Sequence, residues 1–228
     1  ALRAGRRLEV GMMPWAVSCD GVDDYISLGT LGNFGSQRNN SVIEITFKTP
    51  RDYAPGAITN LFGQQNSSSG AAAWLRVDLC TNRNVEYAPG YTHFYHRDDN
   101  NRTISCEIHN EALYDGEYHT LLIDYRDSGL GRLKVFVDDV AQQITYRVAN
   151  SIGECSNFAY PLVVGARNAG GIIDRHAEIT VKRFKITLND QPYAEYLIDE
   201  GQGNIIHDIS GNDYHGTIHG ATWVWVDD

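Results

Sequence analysis

The densest group of side chains able to contact a polar ligand lies between residues 81 and 102 of this 228-residue chain. Tyr87, Tyr91, His93, Tyr95, His96, Arg97 and Asp98 fall there, among further Asn, Asp and Arg residues. A sugar offers apolar ring faces and many hydroxyls. Its site therefore combines exposed aromatic rings with amide, carboxylate, guanidinium or imidazole groups. This segment supplies that mixture, and it reads as a long irregular loop of the kind that carries function in compact domains. Any one tyrosine is explained as well by packing; the signal is the group. Tyr53, Trp74 and Tyr114 are further aromatics for the same role or for the core.

Two turns are rich in oxygen ligands. One is Asp20-Gly21-Val22-Asp23-Asp24-Tyr25, and the other runs from Asp208 through Asn212 and Asp213. Calcium takes roughly six to eight oxygens from carboxylates and carbonyls, which makes Asp20, Asp24, Asp208 and Asn212 candidate ligands of a structural Ca2+. Asp-Gly and Ser-Gly-Asn are also ordinary turn residues whose side chains bond the local backbone. Neither turn has EF-hand spacing, and both readings stand.

The sequence contains no G-x-S-x-G, P-loop or H-E-x-x-H pattern and no CxxC or zinc-type Cys/His spacing. A catalytic role is not expected. Cys19, Cys80, Cys106 and Cys155 allow three disulfide pairings, among which sequence cannot choose. Cys19 and Cys106 sit in alternating runs at core-facing positions, where a free thiol serves as a small hydrophobe.

The net charge is −10 and the isoelectric point is about 5.2. Such a balance disfavours nucleic acid, whose binding depends on cationic contacts to phosphate, and disfavours anionic membranes. No apolar run approaches the roughly 20 residues that span a bilayer, so membrane insertion is not expected. Hydrophobic residues make up 42% of the chain, enough for a substantial core. Residues 1–14 are basic without an apolar centre and read as an N-terminal arm able to dock on an acidic partner. Residues 15–228 read as one domain.

The elements that must position these groups are strands. In His119–Asp139, Leu121, Ile123 and Tyr125 share one face of a first run, and Leu133, Val135 and Val137 share one face of a second. A period of two means a strand with one side toward a core. Asp127, Ser128, Gly129 and Gly131 supply the turn between them. The pair predicts an antiparallel hairpin in the middle of a large sheet. Val42–Lys48 alternates equally well and is ended by Thr49-Pro50. Further short strands are expected near Trp15–Cys19, Trp74–Cys80, Thr103–His109 and Glu178–Leu188, with no long helix. The pattern predicts an all-β, two-sheet antiparallel jelly-roll β-sandwich.

Several of these runs resemble one family. Asp20–Tyr25 is similar to the "FDGVDDYV" opening of laminin-G-like members of the concanavalin A-like lectin/glucanase superfamily, with Cys19 where that pattern has Phe. His119–Val140 resembles the family's "WHHVAVTYDG…LRLYVDGV" hairpin, Leu162–Gly165 its "L.IG" strand, and Glu178–Ile186 its "G.IDEVRIY". The tail, from Tyr196 through Asp208-Ile-Ser-Gly-Asn-Asp-Tyr-His-Gly to Gly220-Ala-Thr-Trp223, resembles "FDEGSG…DSSGNGNHGTL…GATW". In many relatives that segment precedes the "FDGVDDY" strand; here it follows everything else. The resemblance implies a circular rearrangement of one closed fold, with Gly220–Val226 beside Trp15–Cys19. It also implies ligands on rim loops or a concave face, and a structural calcium near the acidic turns. The E-x-D-x-x-E strand of the glucanase branch has no counterpart, since Glu44-Ile45-Thr46-Phe47-Lys48 lacks the Asp and the second Glu. The expectation is a non-catalytic module outside the cytoplasm, extracellular or on a cell or virion surface, that recognises a polysaccharide or surface glycan. The alternatives are a structural module contacting other virion or cell-surface proteins, and a glycan hydrolase with an unrecognised site.

Overall fold

A computed structural model describes residues 15–66, 74–80 and 90–226. The expected arm at 1–14 and Tyr87 lie outside the described residues. The chain folds into two antiparallel sheets, a jelly-roll β-sandwich, and the helices among the described residues are short, of three or four residues each. The first sheet runs Val140–Ala141, Lys134–Val137, His119–Asp124, Ser41–Lys48, Glu178–Leu188, Trp15–Asp20 and Thr222–Trp225, with Gln191–Tyr196 also paired to Glu178–Leu188. The second runs Thr145–Ala149, Thr103–His109, Tyr91–Arg97, Trp74–Leu79, Thr59–Gln65, Val163–Val164, Tyr25–Ser27, Gly216–His219 and Ile205–Ile206. Arg167–Ala169 and Ile172–Asp174 extend the second sheet beside Thr59–Gln65.

Alternation sets which face of each strand is buried. In Ser41–Lys48, Ile43, Ile45 and Phe47 point inward while Val42, Glu44, Thr46 and Lys48 are half-exposed. Inward residues of both sheets form one hydrophobic cluster. Phe184 of the first sheet meets Phe62 of the second edge to face, 5.6 Å between centroids. Such a pair adds a geometric preference to the burial of two large rings. All four cysteines are buried as free thiols.

The two ends of the sandwich meet as the motif order implied. Trp15–Asp20 pairs on one side with Glu178–Leu188 and on the other with Thr222–Trp225, in the register Val17 to Trp223. The hairpin forms with Leu121 opposite Val137 and Ile123 opposite Val135. It sits at one edge of its sheet, followed only by Val140–Ala141, rather than in the middle. Its turn is a 3-10 helix, Ser128–Leu130, closed by Gly131 at φ 73°. A Cβ there would lie 2.5 Å from the Ala149 carbonyl oxygen, so only glycine fits both the conformation and the space.

Tyr91–Arg97 departs from expectation. Most of residues 81–102 reads as loop, yet this stretch is a central strand paired on both sides. Its inward residues are Thr92, Phe94 and His96, and two polar inward residues in three hide the alternation from a hydrophobicity reading.

Phe184→Ala should cost about 3–5 kcal/mol, the usual range for a large ring removed from a packed interior. Leu130→Ala, at a side chain 72% exposed, should stay within about 0.5 kcal/mol of the parent. Urea titrations of the two variants check the contrast, and equal losses would refute the assignment of the core.

Candidate functional site

The strand Tyr91–Arg97 sorts the predicted ligand residues by parity. Tyr91, His93, Tyr95 and Arg97 project from the outer face of the second sheet, and His96 projects into the sandwich. Cross-strand register then adds partners from both neighbours. Arg97 lies opposite Trp74, Tyr95 opposite Arg76, and His93 opposite Asp78. On the other side Tyr95 lies opposite Ser105 and His93 opposite Glu107. Directly opposed residues on one face of an antiparallel pair are close enough for side-chain contact.

The contacts form two linked groups. The first is aromatic and cationic. Trp74 and Tyr95 have ring centroids 5.0 Å apart, and the Arg76 guanidinium sits 5.1 Å from the Trp74 ring and 4.9 Å from the Tyr95 ring. The Arg97 guanidinium lies 5.2 Å from the Trp74 ring. Stacking of this kind holds a guanidinium flat on a ring while leaving its edge available for hydrogen bonds. Among the described residues the buried Trp74 indole N–H finds no acceptor.

The second group is a buried polar network. Asp78 is 1% exposed although it points away from the sandwich core. Its Oδ2 lies 3.2 Å from Arg76 Nε and 3.4 Å from His93 Nδ1, and Asn60 donates to its Oδ1. His93 Nε2 pairs with the Ser105 hydroxyl at 2.8 Å. Burial alone would raise the Asp78 carboxyl. The Arg76 charge and the His93 hydrogen bond outweigh it and hold the group below the ordinary aspartate value. Glu107 is bound by Arg147 at 2.5 Å.

Two predicted ligand residues are placed elsewhere. His96 is fully buried, with Nε2 2.7 Å from Asn39 Oδ1 and its ring against Tyr125. Desolvation and then the nearby Arg38 charge push its pKa well below 6.5, so it is a neutral core histidine. Asp98 organises a turn: its carboxylate accepts the backbone N–H groups of Asn100, Arg102 and Gly153 and the Arg102 side chain. Those bonds occupy the oxygens that a ligand would need. The alternating run Trp74, Arg76, Asp78 was legible as an outward row once Leu75, Val77 and Leu79 were assigned inward. Arg167 and Arg175, which border the same face, carry no sequence signal.

The predicted metal ligands also separate. Asp20, Asp23 and Asp24 bring carboxylate oxygens within 4.8 Å of one another. Asp24 is buried, and its pKa is raised by desolvation, with the charges of Asp20 and Asp23 adding to the effect. Asp208 and Asn212 do not join them. Asp208 accepts from the backbone of Glu195, Ser210 and Tyr214 and from the Ser210 hydroxyl, while Asn212 donates to the Tyr193 carbonyl. The second turn is thus held by side-chain-to-backbone bonds of the ordinary kind.

No family model matches the chain. A 76-residue stretch is 41% identical to the Probable transglycosylase SceD of Staphylococcus epidermidis, covering 31% of this chain and 34% of that protein. The chain therefore spans about a third of that curated relative. Among solved structures, one described as NanB plus Optactamide is similar with a TM-score of 0.54 at 15% identity, over 78% of this chain and 26% of the other. The Ruminococcus gnavus IT-sialidase CBM40 bound to alpha2,3 sialyllactose is similar with a TM-score of 0.50 at 10% identity, over 77% of this chain and 91% of the other. At such identities the likeness is one of fold.

Asp98, held below the ordinary aspartate value by its backbone and Arg102 bonds against the effect of burial, contributes stability at neutral pH and loses the contribution as pH falls through its folded pKa. Asp98→Ala should cost about 1–3 kcal/mol at neutral pH, the usual penalty for stranded donors. It should also flatten the loss of stability below about pH 4, where the wild-type carboxylate protonates. Melting temperatures of both proteins across acid pH test this, and parallel curves would count against it.

Proposed function

We propose that the protein is a non-catalytic carbohydrate-binding module that recognises a polysaccharide or surface glycan on the outer face of its second sheet. The observation that carries this reading is the platform of Trp74 and Tyr95 with Arg76 and Arg97 stacked on the rings. Aromatic rings pack against the apolar face of a pyranose, and a guanidinium fork beside them donates to ring hydroxyl or carboxylate oxygens. Tyr91 projects from the same face. The two sialidase-related neighbours share the sandwich fold, and one of them is described as bound to sialyllactose. That supports a sugar on such a scaffold without naming this one.

The non-catalytic part of the reading rests on the carboxylates. A glycosidase needs a pair of carboxyls, one kept protonated by a raised pKa. On this face Asp78, Glu107 and Asp174 are each matched to a guanidinium, and Asp78 is held below the ordinary aspartate value. Such a module works outside the cytoplasm, where surface glycans are found. A structural Ca2+ at Asp20, Asp23 and Asp24 belongs to the same reading. Three carboxylates converge there, and a divalent cation would relieve the repulsion among them.

Trp74→Ala and Tyr95→Ala should each weaken glycan binding by about fivefold or more, since one ring stacked on a sugar contributes about 1 kcal/mol. Screening on a glycan array, followed by calorimetry on the best hit, measures it. Absence of saturable binding to any glycan would abandon the reading in favour of a structural module that contacts proteins. For the cation, added calcium should raise the melting temperature of the wild type and leave Asp23→Asn little changed. An identical response from both proteins would remove calcium from the account.

A further inference from the structure

Among the described residues, the outer face of the second sheet holds more guanidiniums than carboxylates. Gly63 lies opposite Arg76 in the neighbouring strand, and the parallel strand Arg167–Ala169 runs along its other side. A Cβ on Gly63 would stand 3.2 Å from Arg76 Cβ and 3.4 Å from Arg167 Cγ. The missing side chain is what lets two arginine stems flank one backbone position. Arg167 is matched by Asp174 through a bidentate pair at 2.8 and 2.5 Å. Arg76 is matched by Asp78.

Arg175 is the third guanidinium and has no such carboxylate among the described residues. Its backbone is fixed by a bond from Asn60 N–H to its carbonyl oxygen at 2.8 Å, and it adopts a left-handed φ of 55° that an unbranched chain tolerates only when its surroundings impose it. Its Nη1 is buried without a hydrogen-bond partner among the described residues. Desolvation lowers its pKa, and the charges of Arg167 and Arg76 add to that despite Asp78 and Asp174. A buried donor without an acceptor, next to two like charges, is a standing cost in the free protein. Arg175 also lines a groove of about 490 Å³ with Tyr53, Thr59 and His176, whose rim carries Asp20, Asp52 and Glu178.

We propose that Arg175, together with Arg76 and Arg167, binds the anionic group of an acidic glycan, a carboxylate or a sulfate. The inference rests on the glycan-binding reading and specifies the class of glycan. An oxyanion supplies the acceptor that Nη1 lacks and offsets the excess of three guanidiniums over two carboxylates. The planar forks of arginine suit both carboxylate and sulfate geometry. Trp74 and Tyr95 then bear the sugar ring, so charge and stacking are read by adjacent parts of one face.

Calorimetry with lactose, 3′-sialyllactose and 3′-sulfated lactose separates the outcomes. At least one charged form should bind about tenfold or more tightly than lactose, the worth of one charge-assisted hydrogen bond. Arg175→Gln should erase most of that preference and leave lactose affinity unchanged, whereas Arg132→Gln, an exposed arginine outside this face, should keep it. Arg175→Gln should melt at the wild-type temperature or above, because it removes a repelled charge. A purely structural arginine would lower it. Preference for only one charged form supports the proposal and identifies the group. Equal binding of all three sugars overturns the anion site and leaves the glycan reading standing, as does an Arg175→Gln protein that retains the preference. Binding of none overturns both.

Discussion

The pairing of Trp15–Asp20 between Glu178–Leu188 and Thr222–Trp225 is the constraint on which the other parts of the molecule depend. It closes the first sheet with strands from both ends of the chain, and it fixes the segment just before Glu178. Ala177 N–H bonds to the Gly165 carbonyl, and His176 Nδ1 lies 3.1 Å from the Asp24 carbonyl oxygen. Arg175, one residue earlier, is thereby delivered to the start of Thr59–Gln65 in the other sheet, where its carbonyl takes the Asn60 N–H. A contact between the first and last strands thus determines where a guanidinium stands on the opposite layer. Residues far apart in sequence meet because a sandwich has only two ends and its connections must cross them.

The fold was legible because strand period and turn chemistry agree along most of the chain. The hairpin at Leu121–Val137 and the alternation of Val42–Lys48 are set by inward side chains such as Leu121, Ile123, Val135, Val137, Ile43, Ile45 and Phe47, which are apolar. The closure was legible from the order of short motifs. The site was legible only in part. Tyr91–Arg97 places Thr92 and His96 inward, so hydrophobicity could not reveal its parity, and with parity unknown Arg97 and His96 looked equivalent. Asp98 and Asp208 look like ligand residues by type, but each is consumed by backbone donors in its own turn. Arg167 and Arg175 reach the face through a parallel strand and a loop that no local pattern announces.

A net charge of −10 describes the whole surface and says little about one face. Counterions screen exposed charges beyond about 8 Å at physiological salt, so the acidic remainder of the protein barely alters the field among half-buried arginines. What matters there is the local count and the solvation each group has lost. Asp78 and Asp174 bring the local charge near balance, and the balance is incomplete at Arg175. A net acidic chain and an anion-binding face are therefore compatible.

The polar network on this face is a poor source of stability. Burying Asp78 and His93 removes water from groups that prefer it, and the ion pairs formed in return roughly offset that loss. Its physical effect is on order. Arg76 is held by Asp78 on one side and by the Trp74 and Tyr95 rings on the other, so its rotamer freedom is largely gone before any ligand arrives. A ligand that meets an immobilised fork and a fixed ring loses less in ordering them than it would on flexible loops. A strand pair gives better positional control than the irregular loop expected from sequence, because each side chain's direction is set by the ladder beneath it. The same argument explains why the face is built on Trp74–Leu79 and Tyr91–Arg97, interior strands of the sheet, where both neighbours restrain the backbone.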